Sequence, residues 1–224
     1  MVPTLLKYPL KSHRKNFNSP NNSVELAEFL GIEFGDGGIG NLWQIVISLN
    51  SISDKKYSKY IVNLGLRLFG VIPSIRKRAN QNTLVLVYSS TSLVDFIVSK
   101  GAVRGNKILQ QIDIPNWVKL NPEYERTFVR GLMDTDGCLY IHHHTIKGVP
   151  YKNIGLCFTS FSEKLVLSVA AILRKNGIKP YITNKRRNVY LYSARSVVKY
   201  LDTFGSSNPR IINKYLEWRG RIAA

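Results

Sequence analysis

One near-repeat constrains this chain more than any other feature: FLGIEFGDG at 29–37 and VRGLMDTDG at 129–137. Each is an apolar run ending in an aspartate and a glycine, Asp36-Gly37 and Asp136-Gly137, set 100 positions apart. A duplicated unit that supplies one carboxylate per copy points to one site shared by two copies. The flanking sequence repeats too. After each Asp-Gly comes a stretch of alternating polarity, Trp43 to Asn50 and Asn153 to Thr159, with the two-residue period of a strand. A helical pattern follows, Tyr57, Ile61, Leu64 and Leu68 in the first copy, with Ser53 expected as N-cap and Asp54 in the first turn. Its counterpart runs Ser162, Glu163, Val166, Ala170 and Leu173. Both patterns stop at Gly70-Val71-Ile72-Pro73 and Gly177-Ile178-Lys179-Pro180, the glycine-then-proline signal of a helix end.

A basic triplet comes next in each copy, Arg76-Lys77-Arg78 and Lys185-Arg186-Arg187, then a strand, Leu84 to Tyr88 and Val189 to Tyr192, then a helix beginning near Leu93 or Val197. The expected fold is α+β: two pseudo-symmetric αββαββα halves, each a four-stranded antiparallel sheet with helices on one face. The expected boundaries are a basic N-terminal arm at 1–23 and halves at 24–115 and 116–224. The other face of each sheet is left free to meet a partner.

Charge names the partner class. Thirty-two Lys+Arg against 14 Asp+Glu leave +18, a self-repelling surface unless a polyanion is bound, and nucleic acid leads. Paired triplets beside strands suit phosphate contact. No apolar stretch reaches the roughly 18 residues that span a bilayer. The two cysteines, Cys138 and Cys157, provide neither a disulfide framework nor a four-cysteine zinc site. The expectation is an intracellular protein of the cytoplasm, nucleoid or organelle matrix, not secreted. The first 23 residues carry Lys7, Lys11, Arg14 and Lys15 without an acid, which reads equally as a solvated tail or as an arm that grips DNA.

With these motifs assembled, the chain resembles the LAGLIDADG homing endonucleases in their single-chain, two-motif form. Gly131, Leu132, Asp134, Asp136 and Gly137 match the family's nine letters and Val129 is a near match; the first copy keeps Gly31, Asp36 and Gly37. Phe34 stands where the sixth-position acid belongs. The likeness runs from about Val24 to Trp218. It implies that the motif helices pack against each other at Gly31 and Gly131; a mid-helix glycine costs about 1 kcal/mol relative to alanine, so two at matching places imply close packing.

The resemblance further implies that Asp36 and Asp136 are catalytic metal ligands, with the carbonyls of Gly35 and Thr135 beside them. An Asp-Gly pair can merely end a helix, but a helix C-terminus repels an anion, so an acid there in both copies points to a bound cation. The implied metal is Mg²⁺, with Mn²⁺ substituting and Ca²⁺ supporting binding without cleavage. The family's basic residues near the cleavage site map to Lys107 and Arg210, and its pocket-ordering polar residues to Ser51 and Ser160. The implied reaction is a staggered double-strand break in a long asymmetric DNA target, made by a monomer. Intron RNA is the alternative partner; an RNA-binding maturase or a catalytically silent DNA-binding protein is the alternative function. The termini lack splicing residues, so an intein origin is not expected.

Target reading would come from the sheets. From Asp36 to Asn50 is 14 positions and from Asp136 to Thr159 is 23, so the first hairpin is shorter and the target asymmetric. Candidate contacts are Gln44, Tyr140, His142, His144, Lys152, Tyr190 and Tyr192, with the facing register left open.

Overall fold

The computed structural model describes residues 16–220, apart from the side chains of Ile146 and Pro150. Residues 1–15 of the expected basic arm lie outside this range. The remainder of that arm is docked: Phe17 packs on Phe96, the Asn18 amide donates to the Phe69 carbonyl, and the Asn22 carbonyl accepts from the Tyr124 hydroxyl.

The first half runs α1 (Val24–Phe34), β1 (Gly37–Gly38), β2 (Gln44–Asn50), α2 (Lys55–Phe69), β3 (Ser74–Lys77), β4 (Thr83–Ser89) and α3 (Thr91–Ser99). A short α4 (Asn116–Lys119) leads into the second: α5 (Pro122–Asp136), β5 (Gly137–Ile146), β6 (Val149–Thr159), α6 (Glu163–Lys175), β7 (Tyr181–Ile182), β8 (Asn188–Leu191), α7 (Ala194–Thr203) and α8 (Pro209–Gly220). Both sheets are antiparallel and share one topology, β1-β2-β4-β3 and β5-β6-β8-β7. The architecture is therefore the α+β duplication read from the sequence, extended by α4 and α8.

Alternation sets the faces. In β2 the residues Ile45, Ile47 and Leu49 are buried against helices, and their partners Tyr88, Leu86 and Leu84 share that side. In β6 the same side holds Ile154, Leu156 and Phe158. Helices α2 and α6 end where the glycines turn left-handed, Gly70 at φ 66° and Gly177 at φ 70°.

The halves join through α1 and α5, whose cores merge into one apolar cluster with Phe29, Leu30, Phe128 and Leu132 at zero exposure. A Cβ built on Gly31 would sit 2.1 Å from the Phe128 carbonyl oxygen, and one on Gly131 would sit 2.3 Å from that of Glu28. Each glycine admits the backbone of the opposite helix. No larger residue fits without separating them.

The hairpins differ in the direction their spacing indicated. Strands β1 and β2 have 2 and 7 residues, β5 and β6 have 10 and 11.

Candidate active site

The crossing of α1 and α5 sets where the motif acids emerge. Helix α5 continues through Asp136, whereas α1 ends at Phe34 and Gly35 breaks away, leaving Asp36 just beyond the helix. Gly35 is pressed against the other motif: an added Cβ would stand 2.0 Å from the Thr135 hydroxyl and 3.5 Å from the Asp136 carboxyl carbon. The two acids thus converge where the helices end.

Electrostatics records their crowding. Burial raises the Asp36 carboxyl to about 6, with the Asp54 charge adding to it and Lys107 and Arg210 opposing. Burial raises Asp136 to about 7, with Asp36 next and Lys107 opposing. A site that holds two carboxylates against their own repulsion, beside backbone carbonyls, offers hard oxygen donors suited to Mg²⁺, Mn²⁺ or Ca²⁺. Among the described residues no group of three or more acidic, histidine or cysteine side chains gathers as a metal centre, so this site offers a pair of carboxylates and the carbonyls beside them.

Lys107 is the basic group of the first half. Its Nζ donates into a ring of carbonyls, Glu33 at 2.9 Å, Phe34 at 2.8 Å, Gly35 at 2.8 Å and Gly37 at 2.6 Å. The first three are carbonyls at the end of α1 and the fourth opens β1; an ammonium there stands in for the helical partners that the first three lack and offsets the negative helix end. The Gly35 carbonyl, a metal ligand in the sequence reading, is engaged by this lysine. Glu33 lies beneath, fully buried with no hydrogen-bond partner for either carboxyl oxygen, and burial raises it to about 7 against the pull of Lys107.

Arg210 is placed differently. Asp134 accepts from the Ser206 hydroxyl at 2.5 Å and the Ser207 amide at 2.6 Å, pinning the loop before α8. Asn208 then bridges the halves, its side-chain amide donating to the Asp134 carbonyl and to Asp54 Oδ1, both at 2.9 Å. Arg210 Nε donates to the same Asp54 oxygen at 3.1 Å. Sequence reasoning gave Asp54 only a first-turn place and made Ser53 the cap. Asp54 is in fact the N-cap residue of α2, yet its side chain caps nothing because it reaches across to the second half. Asn50 Oδ1 takes the amides of Ile52 and Ser53 instead. Glu28 completes the bridge, paired with Arg130 and accepting from the Ser207 hydroxyl. Sequence reasoning missed the roles of Glu28, Glu33, Asp54 and Asn208; for Glu28 and Glu33 the signal was an acid inside an apolar run, whereas Asp54 and Asn208 stand in polar surroundings that gave none.

A cavity of about 350 Å³ opens beside Asp136, lined also by Lys107, Gly35, Thr159, Ser160 and Phe161. Ser160 Oγ accepts from the Ser162 amide, whereas Ser51 Oγ is buried without a partner.

The register resolves the sheet candidates. Gln44 lies on the free face of the first sheet, hydrogen-bonded to Ser89 and Asn41. Tyr140, His142 and His144 share the free face of the second with Cys138, Cys157, Tyr190 and Tyr192; the Tyr140 ring lies over Gly155. Lys152 does not belong with them. It pairs with His143 and shares the parity of Ile154 and Leu156, so it points to the helix side. The first triplet divides as well: Arg76, opposite Val85, is on the free face, Lys77 opposite Leu84 is on the other, and Arg78 follows the strand. In the second, Lys185 is exposed in the turn, Arg186 pairs with Glu163 and Arg187 stacks 4.7 Å over Phe161.

Residues 123–205 match the family model of the LAGLIDADG-like domain. The fold is similar to solved structures of the homing endonuclease I-DmoI, with TM-score 0.56, 20% identity and coverage of 82% of this chain and 96% of that one. It is similar also to the homing endonuclease I-LtrWI bound to target DNA, with TM-score 0.59, 11% identity and coverage of 86% and 88%. The N-terminal LAGLIDADG domain of WhiA gives TM-score 0.52, 16% identity and coverage of 84% and 85%. I-DmoI has been solved with DNA together with Ca, Mn or Mg. Among curated proteins, the replication factor C small subunit of Methanocaldococcus jannaschii is 26% identical over 204 residues, 90% of this chain and 10% of its own length. The chain thus spans about a tenth of the curated relative it matches. The second half thus matches a LAGLIDADG-like domain over residues 123–205, and the fold of the chain as a whole is similar to that of these LAGLIDADG structures.

Proposed function

We propose that this chain is a sequence-specific DNA endonuclease that makes a metal-dependent, staggered double-strand break in a long asymmetric target, working as a monomer with halves at 24–115 and 116–224. The observation that carries it is the convergence of Asp36 and Asp136, both with raised carboxyl pKa, at the crossing of the motif helices between two sheets on a chain of net charge +18. A pure binding protein has no use for two buried acids facing a polyanion.

Asp36 and Asp136 would hold Mg²⁺, or Mn²⁺ in its place, with the Thr135 carbonyl beside them and Gly35 shared with Lys107; Ca²⁺ would support binding without cleavage. A bound divalent ion supplies an activated water and neutralises charge developing on the phosphate. Lys107 keeps its charge at the site through the carbonyl ring, although burial lowers its pKa. Arg210 is held toward Asp36 by Asp54. Arg76, Lys77, Arg78, Lys185, Arg186 and Arg187 would contact phosphates, while Gln44, Tyr140, His142 and His144 would face the duplex. Lys152, on the helix side, is withdrawn from this set.

Cleavage selection on a randomised DNA library, with Mg²⁺ and with Ca²⁺, tests the reading. Wild type should cut selected sites with Mg²⁺ and only bind them with Ca²⁺; Asp36→Asn and Asp136→Asn should bind without cutting. A protein that binds a site and never cuts it with Mg²⁺ or Mn²⁺ is not this enzyme.

A further inference from the structure

The outer edge of the second sheet carries a feature that the first lacks. A cavity of about 570 Å³ lies there, lined by Tyr181, Tyr190 and Tyr192 together with Lys179, Arg195 and Lys199. The Tyr190 and Tyr192 rings stack at 5.0 Å with an interplanar angle of 6°, and Tyr181 stands 5.7 Å from Tyr192 at 45°. Tyr181 and Tyr192 are each about half exposed, at 51% and 53%. No acid lines the cavity. Lys199 is steered to it by donating to the Gly177 carbonyl at 3.0 Å, where the left-handed glycine turns the chain beneath the tyrosines.

We propose that this cavity binds an unpaired nucleotide, its base stacked on the tyrosines and its phosphate held by Lys179, Arg195 and Lys199. A paired base presents only its edge in a groove, so flat rings with exposed faces gain little from intact duplex; they gain from a base whose own face is free. The volume falls within the range of small-molecule pockets, and three cations without an acid match a phosphodiester strand. The equivalent free face of the first sheet carries Val46, Ser48, Val85, Val87, Ser74 and Arg76, with no aromatic ring. The device belongs to one half only. It lies three strands from β5, about 14 Å at the usual spacing of sheets. The inference rests on nucleic-acid binding by this face and not on cleavage.

The test is fluorescence anisotropy in EDTA, where no strand is cut, using a labelled single strand of about eight nucleotides as RNA and as DNA, and the matching duplex. The Tyr190→Leu/Tyr192→Leu variant should bind both or one of the single strands about 5- to 150-fold more weakly, the effect of losing one stacked base, and should lose clearly less affinity for the duplex. Tyr190→Phe/Tyr192→Phe keeps the ring faces and should bind the single strand like wild type, which separates lost stacking from lost folding. The RNA-to-DNA ratio distinguishes an RNA partner from a melted DNA strand. Unchanged single-strand binding in the leucine variant, or an equal loss for duplex and single strand, overturns the proposal. Cleavage by the wild type with Mg²⁺ is read separately, so the two readings can fail independently.

Discussion

The two halves solve one structural problem with different chemistry. In the second, the motif's sixth residue is Asp134, which grips Ser206 and Ser207 and so fixes the loop that presents Arg210. In the first that residue is Phe34, which packs edge-on against Phe128 at 5.2 Å, and Lys107 is fixed instead by the carbonyls it caps. The acid of the first half is displaced one position earlier, to Glu33, buried beneath the lysine. The pseudo-symmetric fold therefore brings one cation from each half to the motif acids, Lys107 to both and Arg210 to Asp36, while the means of holding it differs. What stays identical is the contact that cannot drift, the glycine pair where two backbones touch.

The largest effects should come where the halves are equivalent. Asp36→Asn and Asp136→Asn should each lower cutting of one strand by about 100-fold or more, read as nicked plasmid accumulating in place of linear product. If one substitution leaves both strands cut at wild-type rate, the halves are not equivalent. Gly31→Ala and Gly131→Ala should each destabilise by about 3 kcal/mol, lowering Tm by roughly 6–12 °C, because a methyl group would meet a backbone oxygen. A marked inequality between these two would show that one helix yields more easily than the other.

The sixth position should separate the halves. Asp134→Ala leaves the Ser206 hydroxyl and Ser207 amide without their acceptor and should cost about 2–3 kcal/mol. Phe34→Leu keeps an apolar contact and should cost less than about 1.5 kcal/mol, both read by urea denaturation. Equal costs would erase the distinction between a pinned loop and a packed ring.

The smallest effect is the pH dependence of the metal-free protein. Glu33, Asp134 and Asp136 have folded values raised to about 7 and Asp36 to about 6, by burial first in each case. Between about pH 4 and 7 the folded chain keeps protons that the unfolded chain releases, so these groups lower stability as pH rises through that window. Tm should therefore fall from pH 5 to 7.5, and Asp136→Asn should flatten the slope; added Mg²⁺ should restore stability at the upper end and release protons. A Tm that climbs steadily across this range would contradict the buried-acid account.

Much of the fold could be read from the chain. Ser162 caps α6 as its spacing indicated, because a serine before a helical apolar stripe has one efficient use. Gly70 and Gly177 end their helices because a left-handed turn favours glycine. Ser53 misled because Asp54 is drawn across the interface by Arg210, a partner 156 positions away. Lys152 misled because facing depends on pairing register, and β6 puts it on the parity of Ile154. Lys107 was placed near the site by resemblance, but its carbonyl ring depends on α1 stopping at Phe34 instead of at Asp36.

The sequence by itself determined the duplication, the α+β class, the acidic pair, the unequal hairpins and the excess of positive charge, because periodicity, turn residues and charge act locally or in sum. Only the tertiary structure decided which buried acids answer which cations, which face each strand residue shows, and where tyrosines gather at one sheet edge. Those properties depend on distances between residues far apart in the chain, and such distances are set by packing.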